Sequence, residues 1–122
     1  MKKLENKTAV ITGGNSGIGL ATALVFAENG ARVAITGRNQ ANLDQAIKEI
    51  GHNAIAIRTD VTDLNSISES YKMIHQKLGK IDILILNAGI DLPAPFEFYT
   101  EEDFDKVSNV NFKGVFFSIQ KR

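Results

Sequence analysis

One strand-to-helix junction constrains this chain more than any other feature. Thr8-Ala9-Val10-Ile11-Thr12 is a short β-prone apolar run that breaks at Gly13-Gly14. From Ile18 to Asn29 apolar residues return at the helical period, and Gly30 closes the stretch. The segment between them reads Thr12-Gly13-Gly14-Asn15-Ser16-Gly17-Ile18-Gly19. Glycines at this spacing have separate physical duties. Gly13 permits the tight turn, Gly17 leaves room for a diphosphate to approach the backbone, and Gly19 lets the helix lie close on the strand. The free N–H groups and the dipole at the helix start then favour an anion. The spacing is not Gly-x-Gly-x-x-Gly, and Leu20-Ala21 follow Gly19 where an NTPase phosphate loop needs Lys and then Ser or Thr. ATP hydrolysis through such a loop is therefore disfavoured. A bare tight turn is the competing reading, and the repeated strand-helix context favours dinucleotide binding over it.

The same unit recurs along the chain. Arg32 to Thr36 reads as a strand, and Asn42 to Ile50 as a helix with Leu43, Ala46, Ile47 and Ile50 on one face, stopped by Gly51. Ala54 to Arg58 is a third strand. Ser66 to Leu78 is a helix whose inward stripe is Ile67, Tyr71, Ile74 and Leu78, ended by Gly79. Ile81 to Leu86 is almost continuously apolar, as suits a parallel strand covered on both faces. Asp91-Leu92-Pro93-Ala94-Pro95 reads as a loop. Thr100 then caps a fourth helix whose first turn carries Glu101, Glu102 and Asp103, where the dipole favours negative charge. Alternating strands and helices with right-handed crossovers specify an α/β fold, a Rossmann-like doubly wound parallel sheet of expected order 3-2-1-4. Residues 1–122 read as part of one such domain.

Composition narrows the function classes. Fourteen Lys plus Arg balance fourteen Asp plus Glu, so no basic field steers the chain to nucleic acid or an anionic membrane. The chain has no cysteine, which removes disulfides and thiolate chemistry and fits a reducing compartment. No apolar run approaches the ~20 residues of a membrane helix, and the N-terminal apolar run stops at Gly13, too early for a secretory leader. A cytoplasmic location is the expectation. His52 and His75 lack ligand spacing, so no metal site is expected.

The motif at positions 12 to 19 resembles that of the short-chain dehydrogenases/reductases, Thr-Gly-x-x-x-Gly-x-Gly. The resemblance continues in Asp60-Val61, in Asn87-Ala88-Gly89 and in Asn111 within Asn109-Val110-Asn111, four motifs in the family's order. It implies a cofactor site made by Gly13, Asn15, Ser16, Gly17, Ile18 and Gly19 at the diphosphate. Asp60 and Val61 would contact the adenine, and Asn87, Ala88 and Gly89 would line the cofactor beside the fourth strand. Asn111 would be the asparagine of the catalytic tetrad, placed at a break in the fourth helix and supporting a water-linked proton path. Structural duties for the same residues stay open: a turn cap at Asp60, backbone bonding at Asn87, a helix cap at Asn111.

The second strand also bears on cofactor choice. An NAD enzyme of this fold places a carboxylate at its end, but this strand ends Ile35-Thr36-Gly37-Arg38-Asn39. Arg38 follows Gly19 by 19 residues, close to the ~20 expected for the ribose-reading position. Its guanidinium can pair with a 2′-phosphate, so Arg38 points to NADP(H) over NAD(H), with Asn39 beside it a candidate cofactor-binding residue. A solvated surface charge is the other reading of Arg38.

The family's proton donor is the Tyr of a Tyr-x-x-x-Lys pair. Tyr71 is followed four places on by His75 and Tyr99 by Asp103, so neither supplies the pair. The resemblance therefore implies that this chain carries the cofactor half, ending after the fourth helix, of an oxidoreductase for a carbonyl or alcohol. Alone it is expected to be inactive, with homo-oligomerisation possible in the whole. A non-catalytic NADP(H)-binding module is the alternative. Strand four should show an open edge, and Phe112, Val115, Phe116, Phe117 and Ile119 should lack partners.

Overall fold

The structure is a computed structural model that describes residues 2–87, 89 and 94–122. Four strands, β1 (Thr8–Thr12), β2 (Arg32–Gly37), β3 (Ile55–Arg58) and β4 (Ile83–Leu86), form one parallel sheet in the order β3-β2-β1-β4. This is the Rossmann-like order expected from the alternation of periods. Helices α1 (Gly17–Glu28), α2 (Gln40–Ile50) and α3 (Leu64–Leu78) make the crossovers. A single 3-10 turn (Phe96–Phe98) precedes α4 (Glu101–Ser108), which runs through a π-helical turn (Asn109–Lys113) into α5 (Gly114–Lys121). No helix among the described residues is long and apolar enough to cross a membrane.

Alternation along β1 and β2 divides the core between the two faces of the sheet. Ile11, Val33 and Ile35 meet Ala23 and Ala27 of α1 and Leu43, Ala46 and Ile50 of α2. Val10 and Ala34 point the other way, where Ile57 packs with Ile67, Tyr71 and Ile74 of α3. Tyr71 is buried with its hydroxyl beside Ser118 of α5, and loss of water pushes the phenol above its ordinary value.

Two helices begin earlier than their first periodic apolar residues suggest, because a side chain starts each one. Asn39 accepts the Asn42 N–H at 3.0 Å, so α2 opens at Gln40. Asp63 accepts the Asn65 N–H at 2.9 Å, so α3 opens at Leu64. Thr100 caps α4 as expected: its hydroxyl accepts the Asp103 N–H at 3.0 Å while the Asp103 carboxylate accepts the Thr100 N–H at 3.2 Å.

The apolar run of β4 misleads in one respect. Its four residues are half-buried, not covered on both faces, because β4 pairs with β1 alone among the described residues. Phe112, Phe116 and Ile119 are exposed, as expected for an open face. Phe117 differs: it is partly buried against the α3 cluster, with its ring edge-on to Phe116 at 5.0 Å, and Val115 is half-buried as well.

Candidate cofactor-binding site

The glycine loop is shaped by two left-handed residues, Gly13 and Gly17, and by close approaches at Gly14 and Gly19. Gly13 has φ 66°, and its N–H donates to the Thr36 carbonyl at 2.9 Å, which ties the turn to the end of β2. At Gly19 an added Cβ would collide with the Gly13 carbonyl oxygen and would lie 2.6 Å from Asn87 Nδ2. Only a glycine lets α1 approach the loop and the end of β4 together. Gly17 has φ 55° and open space where a side chain would stand, so its backbone faces the site unshielded.

The start of α1 also differs from those of its neighbours. Asn39, Asp63 and Thr100 cap α2, α3 and α4 with side-chain oxygens, whereas Ser16 is extended and makes no side-chain cap. Like those of α2 and α3, the first turn of α1 holds no acidic residue, in contrast to α4. The start of α1 thus has no side-chain cap from Ser16, and Ser16, Gly17 and Ile18 line a cavity of about 500 Å³.

The cavity gathers most of the residues singled out in the sequence. Gly13, Asn15, Ser16, Gly17 and Ile18 form its floor at the helix start, and Arg38 and Asn39 line it beyond β2. Asp60 and Val61 enter from the end of β3, and Asn87 and Gly89 from beyond β4. Gly19 acts behind the loop rather than on the cavity. Ala88 lies outside the described residues, as do residues 91–93 of the expected loop. Asn111 is not on the cavity wall. It stands in the π-helical turn against Gly89, where an added Cβ would come within 3.1 Å of Asn111 Oδ1, while its neighbour Val110 lines the cavity.

Several structural duties prove compatible with facing the cavity. Asp60 Oδ1 accepts the Thr62 hydroxyl at 2.6 Å and the Thr62 N–H at 2.9 Å, capping a turn. These two bonds hold its carboxyl below the usual value, with further help from the charges of Arg38 and Arg58. Asn87 Nδ2 donates to the Gly13 carbonyl at 3.3 Å and its N–H donates to Thr12 Oγ1 at 2.9 Å. Both residues are therefore locked by local bonds before any ligand arrives.

The structure adds residues that the motifs did not mark. Thr36, Gly37 and Thr59 line the cavity because a parallel sheet brings the carboxyl ends of adjacent strands to one edge. That rule, applied to each strand end, would have found them. Thr12, the first residue of the motif, joins β1 to Asn87 and to the Ile85 carbonyl, at 3.4 Å. Gly14 is required by Ile35, whose Cγ2 would lie 2.5 Å from an added Cβ, a contact with no local signal in the sequence.

The donor set of an uncapped helix start, a Cβ-free loop and an arginine beyond β2 suits a dinucleotide. Residues 7–121 match the short chain dehydrogenase family. The chain belongs to that family. It is similar to the oxidoreductase asL5 of Sarocladium schorii, 42% identical over 98% of this chain and 48% of that protein. It is 44% identical to the 3-oxoacyl-[acyl-carrier-protein] reductase FabG of Thermotoga maritima, across 93% of this chain and 48% of the relative. Galactitol 2-dehydrogenase of Agrobacterium fabrum is 41% identical over 97% of this chain and 46% of its own. A mutant short-chain dehydrogenase/reductase of Serratia marcescens superposes with a TM-score of 0.92 at 29% identity, covering 97% of this chain and 50% of that one. The chain thus spans about half the length of the short-chain dehydrogenases it matches.

Proposed function

We propose that this chain is the cofactor-binding half of an NADP(H)-dependent oxidoreductase that interconverts a carbonyl and an alcohol. The observation that carries the cofactor choice is Arg38, on the cavity wall just past β2, where no carboxylate stands to receive a ribose 2′-hydroxyl. The amides of Gly13, Asn15, Ser16, Gly17 and Ile18 would hold the diphosphate, with Gly19 letting α1 lie close behind them, and Arg38 with Asn39 would border the 2′-phosphate. Asp60 and Val61 would border the adenine, and Asn87, Ala88 and Gly89 the part of the cofactor beside β4.

Bound there, the nicotinamide ring supplies or accepts the hydride. The substrate class is supported by two relatives, one named as a reductase of a 3-oxoacyl group and one as a dehydrogenase of galactitol. A ketone and an alcohol are the two ends of one hydride transfer. Neither tyrosine of residues 1–122 is followed at the fourth place by lysine. We therefore assign the proton donor to a Tyr-x-x-x-Lys pair beyond Arg122, with Asn111 supporting the water path that feeds it. The absence of cysteine fits the reducing cytoplasm.

Titration of the intact protein with NADPH and with NADH, followed by nicotinamide fluorescence, tests the cofactor choice. NADPH should bind at least about tenfold more tightly, the worth of one charge-assisted pair of hydrogen bonds. Equal affinities would refute the preference, and a sequence beyond Arg122 without Tyr-x-x-x-Lys would remove the oxidoreductase assignment.

A further inference from the structure

Arg58 is the last residue of β3, and the parallel register sets it opposite Gly37, the last residue of β2. The Thr59 N–H donates to the Gly37 carbonyl at 2.8 Å, which extends the pairing past Arg58. Arg58 Nε donates to the Arg38 carbonyl at 3.0 Å. The two arginines thus leave adjacent strands at the same edge of the sheet. Together with Thr59, Asp60, Asp63 and Ser66 they line a cavity of about 280 Å³, which shares Arg38, Thr59 and Asp60 with the larger one.

We propose that Arg58 is a second specificity-determining residue, acting with Arg38 on the 2′-phosphate of NADP(H). This inference rests on the NADP(H) reading above. A phosphate monoester carries about −1.5 to −2 charges near neutrality, so one guanidinium leaves much of it unbalanced. Asp60 adds a like charge on the same wall. A second guanidinium offsets both. The two carboxylates nearby are already engaged locally: Asp60 Oδ1 accepts from Thr62, and Asp63 Oδ1 accepts from Asn65 and Ser66 at the start of α3. Arg58 uses only Nε in the bond to Arg38, which leaves both terminal amino groups as donors in a planar fork.

The rival role is a simple anchor for the Arg38 carbonyl, and the choice of ligand separates the two. Kd values for NADPH and NADH are measured on the intact protein, wild type and Arg58→Met, which keeps most of the aliphatic stem. Loss of a charge-assisted contact should raise Kd for NADPH about tenfold while NADH stays within about twofold. Arg58→Lys should recover part of the NADPH affinity. An equal loss for both cofactors identifies an anchor and overturns the inference. An NADPH preference that survives Arg58→Met unchanged overturns it too and leaves the NADP(H) reading standing. A wild type indifferent between the cofactors overturns both. Should Arg58→Met fail to fold, Arg58→Gln is read by the same pair of titrations.

Discussion

Ile11, Ile35 and Leu43 have no exposed surface, whereas Phe112 retains 75% of its own and Phe116 56%. The first group belongs to the side of the sheet closed by α1 and α2, the second to the π-helical turn and α5. Both regions are rich in apolar residues, so hydrophobicity alone does not separate them. The difference is one of neighbours. β1 and β2 each have a strand on both sides, while β4 is paired on one side among the described residues. The glycine loop and Arg38 emerge from β1 and β2, in the closed region. Asn87, Gly89 and Asn111 stand on the open one. The end of the cavity beside the glycine loop and Arg38 is thus framed by a packed core, and the end beside β4 by elements with faces still uncovered.

The largest test of this contrast is a pair of truncations. Leu43→Ala removes a wholly buried side chain and should cost about 2–5 kcal/mol. Phe112→Ala should stay within about 0.5 kcal/mol, as exposed substitutions do. Urea midpoints at constant slope measure both, and equal losses would end the distinction between a closed and an open region.

Next in size is the charge beyond β2. Arg38→Asp replaces a donor fork with a carboxylate that repels a 2′-phosphate and accepts from a 2′-hydroxyl. Affinity for NADPH should fall by about 10- to 100-fold, on the scale of charge-assisted bonds, and NADH should be favoured in relative terms. Fluorescence titration of both cofactors reads the switch, and a parallel fall for the two would place Arg38 outside ribose recognition.

Gly19→Ala sharpens the comparison inside the packed region. The new methyl would collide with the Gly13 carbonyl and crowd Asn87, with an overpacking cost of about 1–3 kcal/mol. Because the displaced groups are the loop itself, cofactor affinity should fall along with stability. Gly114→Ala is its counterpart on the open side. An added Cβ there would lie 2.8 Å from the Val61 carbonyl, and α5 has exposed flanks on which to shift. Its melting temperature should drop less than that of Gly19→Ala, and a reversed order would contradict the packing difference.

What was legible in the sequence was local in origin. The change of period from strand to helix, the glycine loop and the carboxylates at the start of α4 each lie within about a dozen residues, and the alternation of periods with right-handed crossovers leads to the order β3-β2-β1-β4. Features that depend on distant partners were less legible. The half-burial of β4 depends on which strands flank it, and its own letters record only hydrophobicity. The need for glycine at position 14 comes from Ile35, and the place of Arg58 comes from a register with Gly37. The caps Asn39 and Asp63 were local yet went unread, because apolar periodicity marks where a helix packs rather than where it starts. The significance of Asn111 came from resemblance alone; its letters give no sign of the π-helical turn that holds it.

The smallest expected effect concerns Asp60, where the turn cap and the cavity wall meet. Thr62 donates to its carboxylate through hydroxyl and backbone, and Arg38 and Arg58 add positive charge, so its folded pKa lies below the ordinary 3.8. A depressed carboxylate contributes stability that is present in full above the unfolded value and is lost as pH falls through the folded one. Asp60 is exposed, and solvent screening keeps this contribution small. Asp60→Asn keeps an oxygen for Thr62 but cannot titrate. Urea midpoints taken from pH 6 down to pH 2 should therefore differ at the upper end and converge at the lower. Curves for the two proteins that remain parallel across the whole range would show that Thr62 and the arginines stabilise the charged carboxylate no better than water does. In that case Asp60 would owe its position to the backbone bond between its N–H and Ser66 Oγ, at 2.9 Å, rather than to its charge.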